Sequence, residues 1–226
     1  MLRKTIFMML ILGAFVFAEE AKTWNGDVDN FEDGNIAEAP AWWTFGNSEQ
    51  KPVATTEWDK DPLSKYLGKF ALKITGEAKD WYVGGMGTYL GVDASAFNYV
   101  KIYVCGTGPD SGKLTVQLYD DDNGNYVLEQ DVDKNYEPLN DDRFEYSINV
   151  NWKGWKPFLI PISSFKDTNP KVGDNIWNPD HKNGSGGLLH MQFIFLANTK
   201  TGSIDMAVDN IKLMSIKGKQ GVLNEK

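Results

Sequence analysis

Beyond residue 18 no stretch of ten or more residues carries apolar side chains at i, i+3, i+4 and i+7. Short runs of alternating apolar and polar residues stand in their place, separated by clusters of Gly, Asn, Asp and Pro. A period of two marks a half-buried strand. The runs predict strands at 70–75, 99–105, 113–119, 144–150, 156–162, 190–196 and 203–214. Residues 106–112 read as a turn, and the Asn123-Gly124 pair predicts a hairpin tip. Segments 35–66 and 166–189, polar but bearing Trp42, Trp43, Trp58 and Trp177, read as long loops.

The alternation also sorts side chains by face. In 113–119, Leu114, Val116 and Leu118 point one way while Thr115, Gln117 and Tyr119 point the other; in 190–196, Met191, Phe193 and Phe195 oppose His190, Gln192 and Ile194. One apolar and one mixed face per strand predicts an all-β, antiparallel two-sheet sandwich of the jelly-roll type, with inner faces forming the core. Neither an internal repeat nor a second hydrophobic block interrupts it, so residues 19–226 are expected to form one domain.

The first 18 residues differ in kind. Arg3 and Lys4 precede an apolar run ending in Val16-Phe17-Ala18, the pattern of a cleaved signal peptide. The run is shorter than the ~20 residues that span a bilayer, and no Cys follows it to take a lipid. Secretion or a periplasmic location is therefore expected, without a membrane anchor. The net charge of −8 would become −10 on removal of the two leader cations, which disfavours nucleic acid as a partner. A single cysteine, Cys105, excludes an intrachain disulfide. The core, or a metal, must hold the fold. Eight Trp, nine Tyr and twelve Phe are the compositional surplus.

The order of several pieces carries a resemblance: VDNFEDGN at 28–35, GKFALKITG at 68–76, FNYVKIYVCGTG at 97–108, LTVQLYDDDNG at 114–124, GWKPFLIPISSF at 154–165 and IDMAVDNIKL at 204–213. Together they resemble the family 11 carbohydrate-binding modules and the related complex I intermediate-associated protein domain, both galactose-binding-like jelly rolls. The resemblance implies non-catalytic binding of a β-glucan-like polysaccharide on a concave sheet face. It also implies a structural calcium near the first and last strands, with Glu32 and Asp209 as ligands and Asp29 and Asp33 as weaker candidates. Ca2+ takes about six to eight oxygen ligands, which two carboxylates and loop carbonyls near 68–70 could help supply.

A sugar-binding face needs aromatic rings for the C–H faces of pyranoses, interleaved with polar groups for their hydroxyls. The non-core face offers Gln117, Tyr119, His190 and Gln192, with Asp121 just beyond; the Trp42-Trp43 and Trp81-Tyr82 pairs are candidate walls. Arg143, the one arginine after the leader, has no assigned role. Catalysis is not expected: Glu129-Gln130-Asp131-Val132-Asp133-Lys134 approaches a laminarinase-like acid motif but ends in Lys134. The acidic run at 120–124 lacks the glycine position and flanking helices of a helix-loop-helix calcium site and reads as part of the hairpin tip. A structural or interaction protein of the cell envelope is the alternative function, with a glycosidase third. The expected partner is a polysaccharide or oligosaccharide, with a separate glycan-degrading enzyme or envelope protein as a second.

Overall fold

The computed structural model describes residues 24–134 and 136–217, so the leader expected at 1–18 lies outside the described residues. The strands are β1 (Asp27–Asp29), β2 (Trp42–Gly46), β3 (Ser48–Ala54), β4 (Phe70–Glu77), β5 (Tyr82–Val92), β6 (Tyr99–Thr107), β7 (Gly112–Asp120), β8 (Gln130–Asp131), β9 (Glu137–Pro138), β10 (Asp142–Val150), β11 (Lys153–Pro161), β12 (Lys166–Asp167), β13 (Leu188–Leu196) and β14 (Ser203–Met214). They form two large antiparallel sheets. The first runs β11-β6-β14-β4-β3 with β1 beside β14; the second runs β12-β10-β7-β13-β5-β2. β8 and β9 pair only with each other, inside the long connection from β7 to β10. Among the described residues no helix is long and apolar enough to cross a membrane.

The inner faces meet as the alternation requires. Leu114, Val116 and Leu118 of β7 and Met191, Phe193 and Phe195 of β13 are wholly buried, in one cluster with Ile74 of β4, Val100, Ile102 and Val104 of β6 and Val208 of β14. Burial of each such side chain contributes roughly 1.5–3 kcal/mol. The outer faces differ. On the first sheet, Cys105, Trp155 and Ala207 are covered by Leu67 and by Trp58 from the 55–66 segment, whose ring meets Trp155 edge-on at 5.2 Å. Burial there pushes the Cys105 thiol up to about 12, so it does not act as a thiolate near neutrality. On the outer face of the second sheet the cover is partial: Leu128 of the β7–β10 connection packs with Tyr119 and Leu189, while Trp43, Tyr82 and Tyr89 stay exposed.

Three expectations change. The segment 35–66 contains two strands, β2 and β3; β3 is an edge strand of mainly polar sequence with Pro52, a composition that edges tolerate and alternation does not reveal. β5 escapes the alternation because its glycines, Gly84, Gly85 and Gly87, dilute the strand signal. Asn123-Gly124 is not a hairpin tip. The Asp121 carboxylate accepts the N–H groups of Gly124, Tyr126 and Gly186, which folds the chain into a broad loop instead.

Candidate functional site

Strand register arranges the outer face of the second sheet in rows across the strands. One row runs Arg143, Tyr119, His190, Tyr89; the next Glu145, Gln117, Gln192, Gly87, Trp43; the third Ser147, Thr115, Ile194, Gly85, Phe45. Tyr82, and Gln130 and Tyr136 from the β7–β10 connection, complete a groove of about 770 Å³. That volume suits a small-molecule or oligomer site.

The aromatic side of the groove depends on missing side chains. A Cβ on Gly87 would fall 2.5 Å from the Trp43 ring, and one on Gly85 would collide with the Phe45 ring. With glycine at both positions the two rings of β2 lie down on β5. Trp43 stays 38% exposed there.

The polar side is a chain of paired groups. The Tyr119 hydroxyl donates to Gln117 Oε1 at 2.9 Å, and Gln117 Nε2 donates to Glu145 Oε1 at 2.6 Å. Arg143 holds Glu145 through Nε at 3.1 Å and Glu137 through Nη2 at 3.1 Å. Burial raises the Tyr119 hydroxyl well above its ordinary range. The network fixes these groups in one arrangement. Among the described residues no hydrogen bond engages the Gln192 amide, which lies between Gln117 and Gly87 and faces the groove.

The structure thus brings Trp43, Tyr82, Gln117, Tyr119 and Gln192 together. The other candidates lie elsewhere. Trp42 is in the core: neighbours on one strand face opposite ways, so Trp42 stacks on Phe193 at 5.5 Å and its indole donates to Asp29 Oδ2 at 2.7 Å. Trp81 lies outside the groove lining, with Lys200 Nζ 4.6 Å from its ring centroid. Asp121 is buried as a loop organiser. His190 packs edge-on against Trp43, Tyr89 and Tyr119, and burial lowers its pKa to about 4, so it is a neutral prop beneath the rings. Sequence reasoning missed Phe45, Gln130, Tyr136, Ile194 and Glu145 and left Arg143 unassigned. Gly85 and Gly87, alternating in YVGGMGTYL, were the available sign of a strand carrying rings on one face.

Carboxylates gather at two places. Near β1 and β14, Asp209 is fully buried, and burial, with Glu32 and Asp29 nearby, pushes it up to about 8. Glu32 Oε1 accepts the amides of Lys69 and Phe70 at 2.7 and 3.1 Å, Asp29 accepts from Phe31 and Trp42, and exposed Asp33 only caps its own turn at Asn35. Glu32, Asp29 and Asp209 are hard oxygen donors of the kind Ca2+ takes, but among the described residues they do not bring one oxygen each within 4.8 Å of one another, and both Asp209 oxygens accept from Asn210; Asp33 is committed to its turn. The second gathering, where β7 ends and β10 begins, lies outside the sequence expectations: Asp120, Asp122 and Asp142 each bring an oxygen within 4.8 Å of the others.

No protein-family model matches the chain, and comparison with curated proteins yields no match. Solved structures do match. A family 11 carbohydrate-binding module from Clostridium thermocellum, in complex with a β-1,3-1,4-mixed-linked tetrasaccharide, aligns with a TM-score of 0.53 at 19% identity, over 84% of this chain and 95% of that one. The family 11 module of the cellulosomal cellulase Lic26A-Cel5E of the same organism gives 0.53 at 17%, over 88% and 99%. An exo-β-agarase gives 0.52 at 12%, over 85% of this chain and 25% of the enzyme. The chain therefore has the jelly-roll fold of these carbohydrate-binding modules.

Proposed function

We propose that this chain binds a polysaccharide of the β-glucan class in the groove of the second sheet and does not cleave it. The observation that carries this reading is the interleaving, row by row along the groove, of aromatic rings, Trp43 and Tyr82 among them exposed, with amide and guanidinium groups. Trp43, Phe45 and Tyr82 offer faces for pyranose C–H bonds, and Gln192, Gln117 and Arg143 offer donors and acceptors for hydroxyls. The mixed-linked glucan bound by a module of the same fold supports the choice of sugar. Glu137 and Glu145, the carboxylates of the network, are both ion-paired to Arg143. That commitment favours binding over acid-base chemistry.

Two further elements belong to the proposal. Glu32, Asp209 and Asp29 hold a structural Ca2+ that ties the first strand to the last, supported by the buried Asp209 carboxylate, which the charges of Glu32 and Asp29 repel. The protein is exported, supported by the basic, apolar and small-residue order of 1–18, and acts alone or beside a separate glycan-degrading enzyme or envelope protein.

Affinity electrophoresis through gels containing mixed-linkage β-1,3-1,4-glucan, xylan or mannan tests it. Retardation by the glucan is expected, with a dissociation constant on the order of micromolar to millimolar, as an open groove leaves much of the ligand hydrated. Uniform mobility across the panel overturns glycan binding, and release of reducing sugar overturns the non-catalytic reading.

A further inference from the structure

β7 ends and β10 begins at the same end of the second sheet, where Asp120 and Asp142 are direct cross-strand partners. Like charges placed opposite each other destabilise a ladder unless something compensates. Asp122 turns back toward them, and its Oδ2 accepts the Asp142 N–H at 2.9 Å. The loop at 173–178 closes over the group: Asn178 N–H donates to Asp120 Oδ2 at 2.9 Å and Ile176 N–H to Asp142 Oδ2 at 3.1 Å. Gly173, at φ +69°, comes so close that a Cβ would collide with the carboxylates of Asp142 and Asp122.

These bonds use one oxygen of each aspartate. The other, Oδ1 of Asp120, of Asp122 and of Asp142, is buried with no partner, and so is Oδ2 of the adjacent Asp141. Asp120, Asp141 and Asp142 are wholly shielded from solvent. None of the ion pairs among the described residues involves any of the four. A buried, unpaired carboxylate costs several kcal/mol. Three of them, each with one oxygen within 4.8 Å of the others and each with an oxygen left without a partner, describe a ligand shell.

We propose that Asp120, Asp122 and Asp142 bind a divalent cation of the Ca2+ type, at a site distinct from the Glu32–Asp209 group. A largely buried shell of three carboxylates suits Ca2+, which takes about six to eight oxygen ligands, better than Mg2+, which keeps several of its waters and takes one or two carboxylates. Asp141 lies behind the trio, its Oδ1 accepting the Asp122 N–H at 3.2 Å, and positions it.

Trp177, between the two residues that bond the aspartates, supplies a local reporter. Terbium titrated into the chelator-dialysed chain, with excitation of tryptophan, should give saturable luminescence that Ca2+ displaces at far lower concentration than Mg2+. Asp122→Asn and, separately, Asp142→Asn should lose that signal and bind one Ca2+ fewer per chain by equilibrium dialysis, with far-UV circular dichroism unchanged. The Glu32→Gln/Asp209→Asn double variant should keep the signal. If Asp142→Asn does not fold, the less buried Asp122 decides the matter. The proposal is overturned if the wild-type chain gives no saturable signal, or if folded Asp122→Asn retains both the signal and the full Ca2+ count.

Discussion

Two adjacent positions on the same pair of strands handle buried polarity in opposite ways. At the Tyr119–Arg143 register one guanidinium holds both carboxylates, and the hydroxyl, amide, carboxylate and guanidinium form one connected chain. One residue along, at the Asp120–Asp142 register, negative groups face each other with free oxygens and no basic side chain. The first region satisfies its charged groups internally and can present a fixed surface. The second is complete only with something positive added. A buried polar cluster thus signals recognition or ion binding according to whether its own members satisfy one another.

The most forceful way to break the comparison is to remove cations. Chelation should lower the melting temperature by roughly 5–10 °C, because a ligand at a hundred times its dissociation constant stabilises by about 2.7 kcal/mol and a domain of this size shifts about 2–4 °C per kcal/mol. An unchanged melt, by calorimetry with metal removal verified, would mean that the acidic end stands without an ion.

Acidification sharpens the contrast from the groove side, where His190 Nδ1 is an orphan on a neutral ring. Its native pKa of about 4 lies below the ordinary 6.5. The stabilisation is thus full above about pH 6.5 and is lost as pH falls toward 4, amounting to roughly 2 kcal/mol between pH 7 and 5. Urea titrations in excess Ca2+ should show this slope in the wild type and a flatter one in His190→Phe; equal slopes would remove the histidine from the account.

Trp43→Ala should weaken glucan binding about tenfold, near 1.4 kcal/mol, with little change in melting temperature, as read by isothermal titration calorimetry. The smallest effect is expected at Trp81→Ala. Its affinity should stay within about twofold of wild type, since the ring sits beside Lys200 and outside the groove; a tenfold loss would extend the binding surface to that corner.

The floor of the groove was legible because β7 and β13 alternate cleanly, so Gln117, Tyr119 and Gln192 could be assigned to the non-core face by parity alone. Parity along β2 separates Trp42 from Trp43, but the strand lies in a polar segment whose sequence does not alternate, so the pair reads as one wall. The far side of the groove rests on β5, whose glycines lack the composition of a strand. The acidic end was beyond reach for another reason. It is assembled from 120–122, from 142 and from the loop at 173–178, and only the β7–β10 register and that loop's return bring them together. In the sequence, 120–124 is simply a polar turn.

Two absent methyl groups govern how deep the trough is. Because the indole of Trp43 and the ring of Phe45 rest directly on Gly87 and Gly85, any carbon added at either position would raise an aromatic ledge while leaving every atom that meets the sugar chemically unaltered. Preference among glucans of different thickness could therefore drift through substitutions that an inventory of ligand contacts would never flag.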